Sequence, residues 1–226
     1  MLSNILLVFA TEEEKASLDK VPGVTKIGTA YRWNLTDLNV LVTGVGGMAT
    51  AWALKRWLYE NQKPGLAVNA GIAGSFAEKF DVGDVVIPVS DCFADLGMEI
   101  NGRFVSLGEA GLINPSEYPF ENELIIADNI YVRKALSVLP VASGATVNTA
   151  SGTTGSINRL KERFNPDIET MEGATFFYIC AVEKIPFLGI RAISNKVEPG
   201  TRKTWDIALA LDNLAVKLNE VLMLFV

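Results

Sequence analysis

The segment Asn4–Phe9 constrains the fold more than any other. Its apolar residues run without interruption over the length of a strand, so neither face is left for solvent and both must be covered. A similar demand is made at 66–69, 85–89 and, most strongly, 187–193. Further strands are expected over 33–35 and 39–42, over 145–149 and over 168–170. Between them lie helical patterns: one opened by Thr11, then 48–59, 130–138, 156–164, 172–183 and 205–224. Strand and helix in alternation imply an α/β protein with a mostly parallel or mixed sheet. Only 94–122 breaks the pattern, with Gly, Pro, Asn and Ser scattered among apolar residues. Such a stretch reads as a lid, an oligomer contact or an irregular surface excursion. No repeat, low-complexity tract or linker divides the chain, so residues 1–226 are expected to form one domain.

The chemistry is narrowed by what is missing. There is no histidine, which removes imidazole triads, imidazole metal sites and an imidazole general base. Acid–base work near neutral pH falls to a carboxylate, Lys, Tyr or Cys. Cys92 and Cys180 have no metal or redox spacing and read as core residues of a reducing compartment. The net charge of -6 argues against nucleic acid or an anionic membrane as partner. The first residues lack a basic leader pattern and no apolar run has spanning length, so a soluble cytoplasmic protein is expected.

Three strand ends carry polar residues or glycines: 11–14, 69–75 and Ser194-Asn195. Ligands of open α/β folds bind at such ends. Thr11-Glu12-Glu13-Glu14 fits a capping box, which gives Glu14 a structural role, although it also stands where a strand hands over to a helix. The glycines of 44–47 and 71–74 allow close backbone approach, without forming a P-loop or a dinucleotide fingerprint. Glu172 opens an apolar helix, either complementing its dipole or holding the vicinal hydroxyls of a ribose. Asn195 follows an apolar strand, as a turn residue or as an amide able to pair with a heterocycle.

Together these residues resemble the purine nucleoside phosphorylase and nucleosidase superfamily over nearly the whole chain. Thr170-Met171-Glu172-Gly173-Ala174, then Arg191-Ala192-Ile193-Ser194-Asn195 with Trp205 downstream, is similar to the methylthioadenosine/S-adenosylhomocysteine nucleosidases and closer to the futalosine hydrolases of the alternative menaquinone pathway. The resemblance implies a three-layer α/β/α sandwich on a central mixed sheet. It implies no cofactor and no metal, a small purine nucleoside as substrate, and a homodimer to which 94–122 contributes. Glu14 falls where the family places the carboxylate that activates water. Glu172 falls where the ribose 2′- and 3′-hydroxyls are bound, with Met171 beneath the sugar, and Ala73 and Gly74 line the base and water site.

Two positions depart from the adenine-specific pattern. Asn195 stands where those nucleosidases carry the Asp that protonates purine N7, and Ile72 where they carry a Ser that contacts it. An Asn amide suits a 6-oxopurine, accepting from N7–H and donating to O6. Hypoxanthine is therefore the expected leaving base. Residues 68–71 offer no arginine for phosphate, which makes water the expected nucleophile. Lys196, Arg202 and Trp205 are candidates for the 5′ group, with surface ion pairs as the competing role for the two cations.

Overall fold

The computed structural model describes residues 4–28, 30–34, 36–200 and 202–225. The apolar run at the start forms β1 (Asn4–Phe9), buried from Ile5 onward. α1 (Glu12–Ala16) passes into a 3-10 turn at Ser17–Lys20. An antiparallel meander follows, β2 (Val24–Ile27), β3 (Ala30–Trp33) and β4 (Thr36–Val42), and its last strand lies parallel to β1. α2 (Gly47–Glu60) returns the chain to β5 (Leu66–Ser75), parallel to β1 on the other side.

The second half supplies β6 (Val85–Asp91), the hairpin β7 (Gly97–Ile100) and β8 (Arg103–Ser106), and the short β9 (Phe120–Glu121) and β10 (Leu124–Ile126). Then come α3 (Ile130–Ala135), β11 (Val141–Thr146), α4 (Thr154–Phe164) and β12 (Ile168–Thr170). α5 (Gly173–Val182), β13 (Phe187–Lys196) and α6 (Ile207–Met223) complete the order.

The α/β class and the central mixed sheet are as expected, with one refinement. The sheet closes on itself in its middle: β5 pairs β13, β13 pairs β6, β6 pairs β11, β11 pairs β12, and β12 returns to β5. A small apolar cluster that includes Ala73, Val86, Ala142, Ile168 and Ile193 fills this closed part. β1, β4 and the meander extend from it as an open wing. Outside, α2 packs on α5, and α6 lays Leu211, Leu214, Leu218 and Leu222 over β5 and β13. These buried faces give the core its size, each large side chain contributing about 1.5–3 kcal/mol of transfer free energy.

Several boundaries differ from the sequence reading, and two differences matter. Residues 70–75, read from their glycines as the end of a strand that stops at Asn69, do not leave it; β5 runs on through Ser75. Asn195 is not a turn residue either, because β13 continues to Lys196. Both segments are rich in polar residues and glycine, which composition assigns to turns, and their strand geometry comes from pairing with each other. The meander strand β2 and the short pair β9–β10 carried no readable pattern. Leu35, expected at a strand end, lies outside the described residues.

Candidate active site

β5 changes neighbours along its length. Leu66 to Asn69 pair with β1, and Gly74 and Ser75 pair with β12. Among the described residues no strand flanks 70–73 on that side, which leaves a gap at the switch between the open wing and the closed sheet. Three strand-to-helix junctions converge on it: β1 to α1 with Glu14, β4 to α2 with Gly46, and β12 to α5 with Glu172.

Glu14 serves two ends at once. Its Oε2 closes the capping box, accepting from Ala10 N at 2.9 Å and Thr11 N at 3.0 Å. Its Oε1 accepts from Ile72 N at 3.0 Å, an amide on the open edge of β5. The cap therefore aims the carboxylate into the gap, and the structural and functional readings of this residue are compatible. Gly71 makes the approach possible: a Cβ there would lie 2.5 Å from Glu14 Oε1.

Glu172 occupies the N-cap position of α5 but caps nothing with its side chain. Its Oε1 instead accepts from Gly46 N at 2.8 Å, tying the start of α2 to the start of α5. Burial pushes its carboxyl above the usual range, opposed by the Gly46 amide and then by Arg191, with the charge of Glu14 adding to the rise.

Arg191 is the residue that sequence reading passed over. It is 2% exposed and donates to Asn69 O at 2.6 Å, to Asn69 Oδ1 and to Ile190 O at 3.1 Å. Burial lowers its pKa, and the fields of Glu172, Glu14 and Asp91 oppose that. A single cation inside the apolar stretch 187–193 was the available signal, because a buried guanidinium needs acceptors and anions near it.

Asp91 was also missed. Its Oδ1 accepts from Cys92 N at 2.8 Å and Thr146 Oγ1 at 2.9 Å, while Oδ2 has no partner. Thr146 Oγ1 in turn accepts from Ala174 N at 2.7 Å and lies 3.2 Å from Thr170 Oγ1, which accepts from Gly173 N at 3.2 Å. The first amides of α5 are thus capped by two threonines that lean on Asp91, and this fixes the turn carrying Glu172. Burial pushes the Asp91 carboxyl up to about 7 against the Thr146 bond and the Arg191 charge.

The remaining predicted residues fall into place around this centre. Met171 is half-buried at the junction of β12 and α5, and Ile72 is half-buried on the open edge of β5. Ala73 contributes its methyl to the closed sheet and its carbonyl to Ser194 Oγ at 3.3 Å. Gly74 stands beside Asn195: a Cβ there would lie 3.1 Å from Asn195 Nδ2. Asn195 Oδ1 accepts from Ser194 Oγ at 2.8 Å, and Nδ2 donates to Lys196 O at 3.0 Å. Lys196 points elsewhere, pairing with Asp81 at 3.6 Å and donating to Ala77 O and Phe80 O. The side chain of Arg202 lies outside the described residues. Among the described residues no group of three or more His, Cys, Asp or Glu is placed to hold a metal ion.

Comparison with known proteins matches this architecture to one family. The model of the phosphorylase superfamily matches residues 6–225. A futalosine hydrolase of Streptomyces coelicolor is 32% identical over 208 residues, covering 88% of this chain and 83% of that protein. The native structure of futalosine hydrolase from Helicobacter pylori superposes with a TM-score of 0.78 at 15% identity, covering 99% of this chain and 98% of that one. A 5′-methylthioadenosine/S-adenosylhomocysteine nucleosidase from Colwellia psychrerythraea, in complex with adenine, gives 0.80 at 18% identity over 99% and 96%. With the family model spanning nearly all of its length and a curated relative above 30% identity, the chain belongs to the phosphorylase superfamily.

Proposed function

We propose that this protein is a nucleosidase that hydrolyses the N-glycosidic bond of futalosine and releases hypoxanthine, the step used in the futalosine route to menaquinone. The observation that carries the reading is the pair of buried carboxylates, Glu14 on the open edge of β5 and Glu172 on the Gly46 amide, both in the field of one guanidinium. Two carboxylates against one cation leave an excess of negative charge. That excess suits a sugar that gains positive charge at C1′ as the bond to the base lengthens.

In this reading Glu172 accepts from the ribose hydroxyls over Met171. Glu14 takes a proton from water, the water oxygen bonds to C1′, and the electron pair of the C1′–N9 bond leaves with the base. The base departs as an anion and takes a proton from solvent at N7, where the Asn195 amide oxygen accepts from the new N7–H while its NH2 donates to O6. Water is favoured over phosphate because Arg191, the cation whose field reaches both carboxylates, is committed to Asn69. The identity to a futalosine hydrolase supports the substrate over methylthioadenosine. The free buried cysteines suit a reducing cytoplasm. The functional unit in this reading is a homodimer.

The test is incubation of futalosine, its 6-amino analogue, methylthioadenosine and inosine, with and without phosphate, with the released base measured. Hypoxanthine from futalosine without phosphate is expected; adenine from methylthioadenosine at a higher rate, or strict phosphate dependence, overturns the reading. The competing reading is a non-catalytic nucleoside-binding protein on the same fold, and Glu14→Gln separates the two. Turnover should fall at least about a hundredfold while product affinity stays within about threefold, consistent with loss of a general base. A variant that keeps its rate excludes Glu14 as the base.

A further inference from the structure

Glu169 is 7% exposed, yet its function is unassigned. Its Oε1 accepts from Ser151 N at 2.9 Å, and its Oε2 is buried without a hydrogen-bond partner. Burial pushes the Glu169 carboxyl up, and Ser151 is the one hydrogen-bonding neighbour that opposes this; a carboxylate oxygen left bare inside a protein is costly, so Oε2 calls for a further donor.

The register says where that donor would come from. Glu169 of β12 is paired with Gly74 of β5, and Gly74 is paired on its other side with Asn195 of β13. Residues opposite one another in a ladder project from the same face. An extra residue in β13 between Ile193 and Asn195 brings Asn195 into that row, where an unbroken ladder would put Ser194. Glu169 and Asn195 therefore stand on one face, two strand spacings or about 10 Å apart. Nothing rises between them from β5, because the middle residue is glycine. Val197 Cγ2 stands there instead, within 2.7 Å of where a Gly74 Cβ would be, so a ligand spanning the two would lie over this methyl, part of the cluster that holds Phe76 and Ala145. That backbone separation leaves room for the N1-to-N7 edge of a purine with a hydrogen bond of about 2.9 Å at each end.

We infer that Glu169 is a second base-recognition residue, accepting a hydrogen bond from N1–H of a 6-oxopurine whose O6 and N7 lie on Asn195. This rests on the nucleosidase reading given above and deepens it. A 6-oxopurine carries hydrogen on N1, while a 6-aminopurine presents a lone pair there. A carboxylate at that point attracts the first and repels the second, so selection follows from one atom.

Glu169→Gln tests the bare oxygen alone, since the amide oxygen can still accept from Ser151 N while the new NH2 takes the place of Oε2. Against futalosine, kcat/KM should fall at least about tenfold, and against its 6-amino analogue it should rise or hold, so that the ratio shifts by at least about thirtyfold. N1-methylated futalosine, offered to the unaltered enzyme, lacks the hydrogen and should lose at least about tenfold in kcat/KM. This second measurement stands whether or not the variant folds. An unchanged ratio in a folded variant, or full activity on the N1-methyl substrate, overturns the assignment of Glu169. If the unaltered enzyme releases hypoxanthine from futalosine, that failure is confined to Glu169; if it releases no base from any nucleoside, the nucleosidase reading falls first.

Discussion

At the scale of single residues, Asn195 shows how a neighbour fixes what an amide can read. A backbone carbonyl only accepts, so the contact with Lys196 O must be made by the NH2 of Asn195. The carbonyl of the amide then faces Ser194 Oγ and keeps a free lone pair, while the NH2 keeps a second hydrogen. One acceptor and one donor remain, which is the pattern complementary to N7–H and O6 of a 6-oxopurine. An Asp at this position has no hydrogen for O6 but can carry a proton to N7 of adenine. Asn195→Asp is therefore expected to lower kcat/KM for futalosine by at least about tenfold and to raise adenine release from the 6-amino analogue by a similar factor. Base release measured on both nucleosides across pH 5 to 8 checks this. A gain on the 6-amino substrate should be larger at the acid end, where a carboxyl holds its proton.

At the scale of elements, the site depends on how strands end. The Asp91, Thr146 and Thr170 set caps the first amides of α5, and its energetics are legible in pH. Burial holds the Asp91 carboxyl up to about 7, whereas in the unfolded chain an aspartate titrates near about 3.9. Between these values the native state keeps a proton that the unfolded state has lost. Stability from this residue is therefore full below the lower value, falls as pH rises through the window, and is level above about 7. Asp91→Asn removes the titration. Relative to the unaltered protein, the variant should gain on the order of 2 kcal/mol in unfolding free energy on going from pH 5 to pH 8. Urea midpoints at the two pH values measure it, and parallel shifts in both proteins would show that Asp91 does not titrate in this window. The sequence announced elements wherever burial was two-sided, as in β1 and the first part of β13, and it announced Glu14 and Glu172 by their places at helix starts. It did not announce Arg191, Asp91 or Glu169. Each is one polar residue whose meaning depends on partners 55 or more residues away for Asp91 and 122 away for Arg191, and on a strand register for Glu169. The glycines of β5 misled for the same reason. Gly71 and Gly74 are glycine to admit Glu14 and Val197, with no turn involved.

At the scale of the whole molecule, the exposed apolar residues are unevenly placed. Val45, Met48, Trp52 and Tyr59 are 55%, 87%, 73% and 91% exposed. At 100° per residue Met48, Trp52 and Tyr59 fall within a narrow stripe along α2, and Val45 lies just before the helix. Val182 on α5 and Tyr118, whose hydroxyl donates to Ala181 O, are further exposed apolar residues. A monomer gains nothing from such a stripe, and its width and length suit the same helix of a second copy packed against it. The stripe also begins beside Gly46, whose amide holds Glu172, so a partner seated there would order one wall of the site. Light scattering on the purified protein should therefore give the mass of a dimer. Trp52→Glu places a charge at the centre of the stripe, where no carboxylate can be desolvated without cost, and should weaken association at least about thirtyfold, leaving monomers at micromolar concentration. Because Gly46 moves with α2, the monomer should also show a raised KM for the nucleoside with a smaller change in kcat. A Trp52→Glu variant that stays dimeric would move the interface off α2, and a monomeric unaltered protein would remove the need for one.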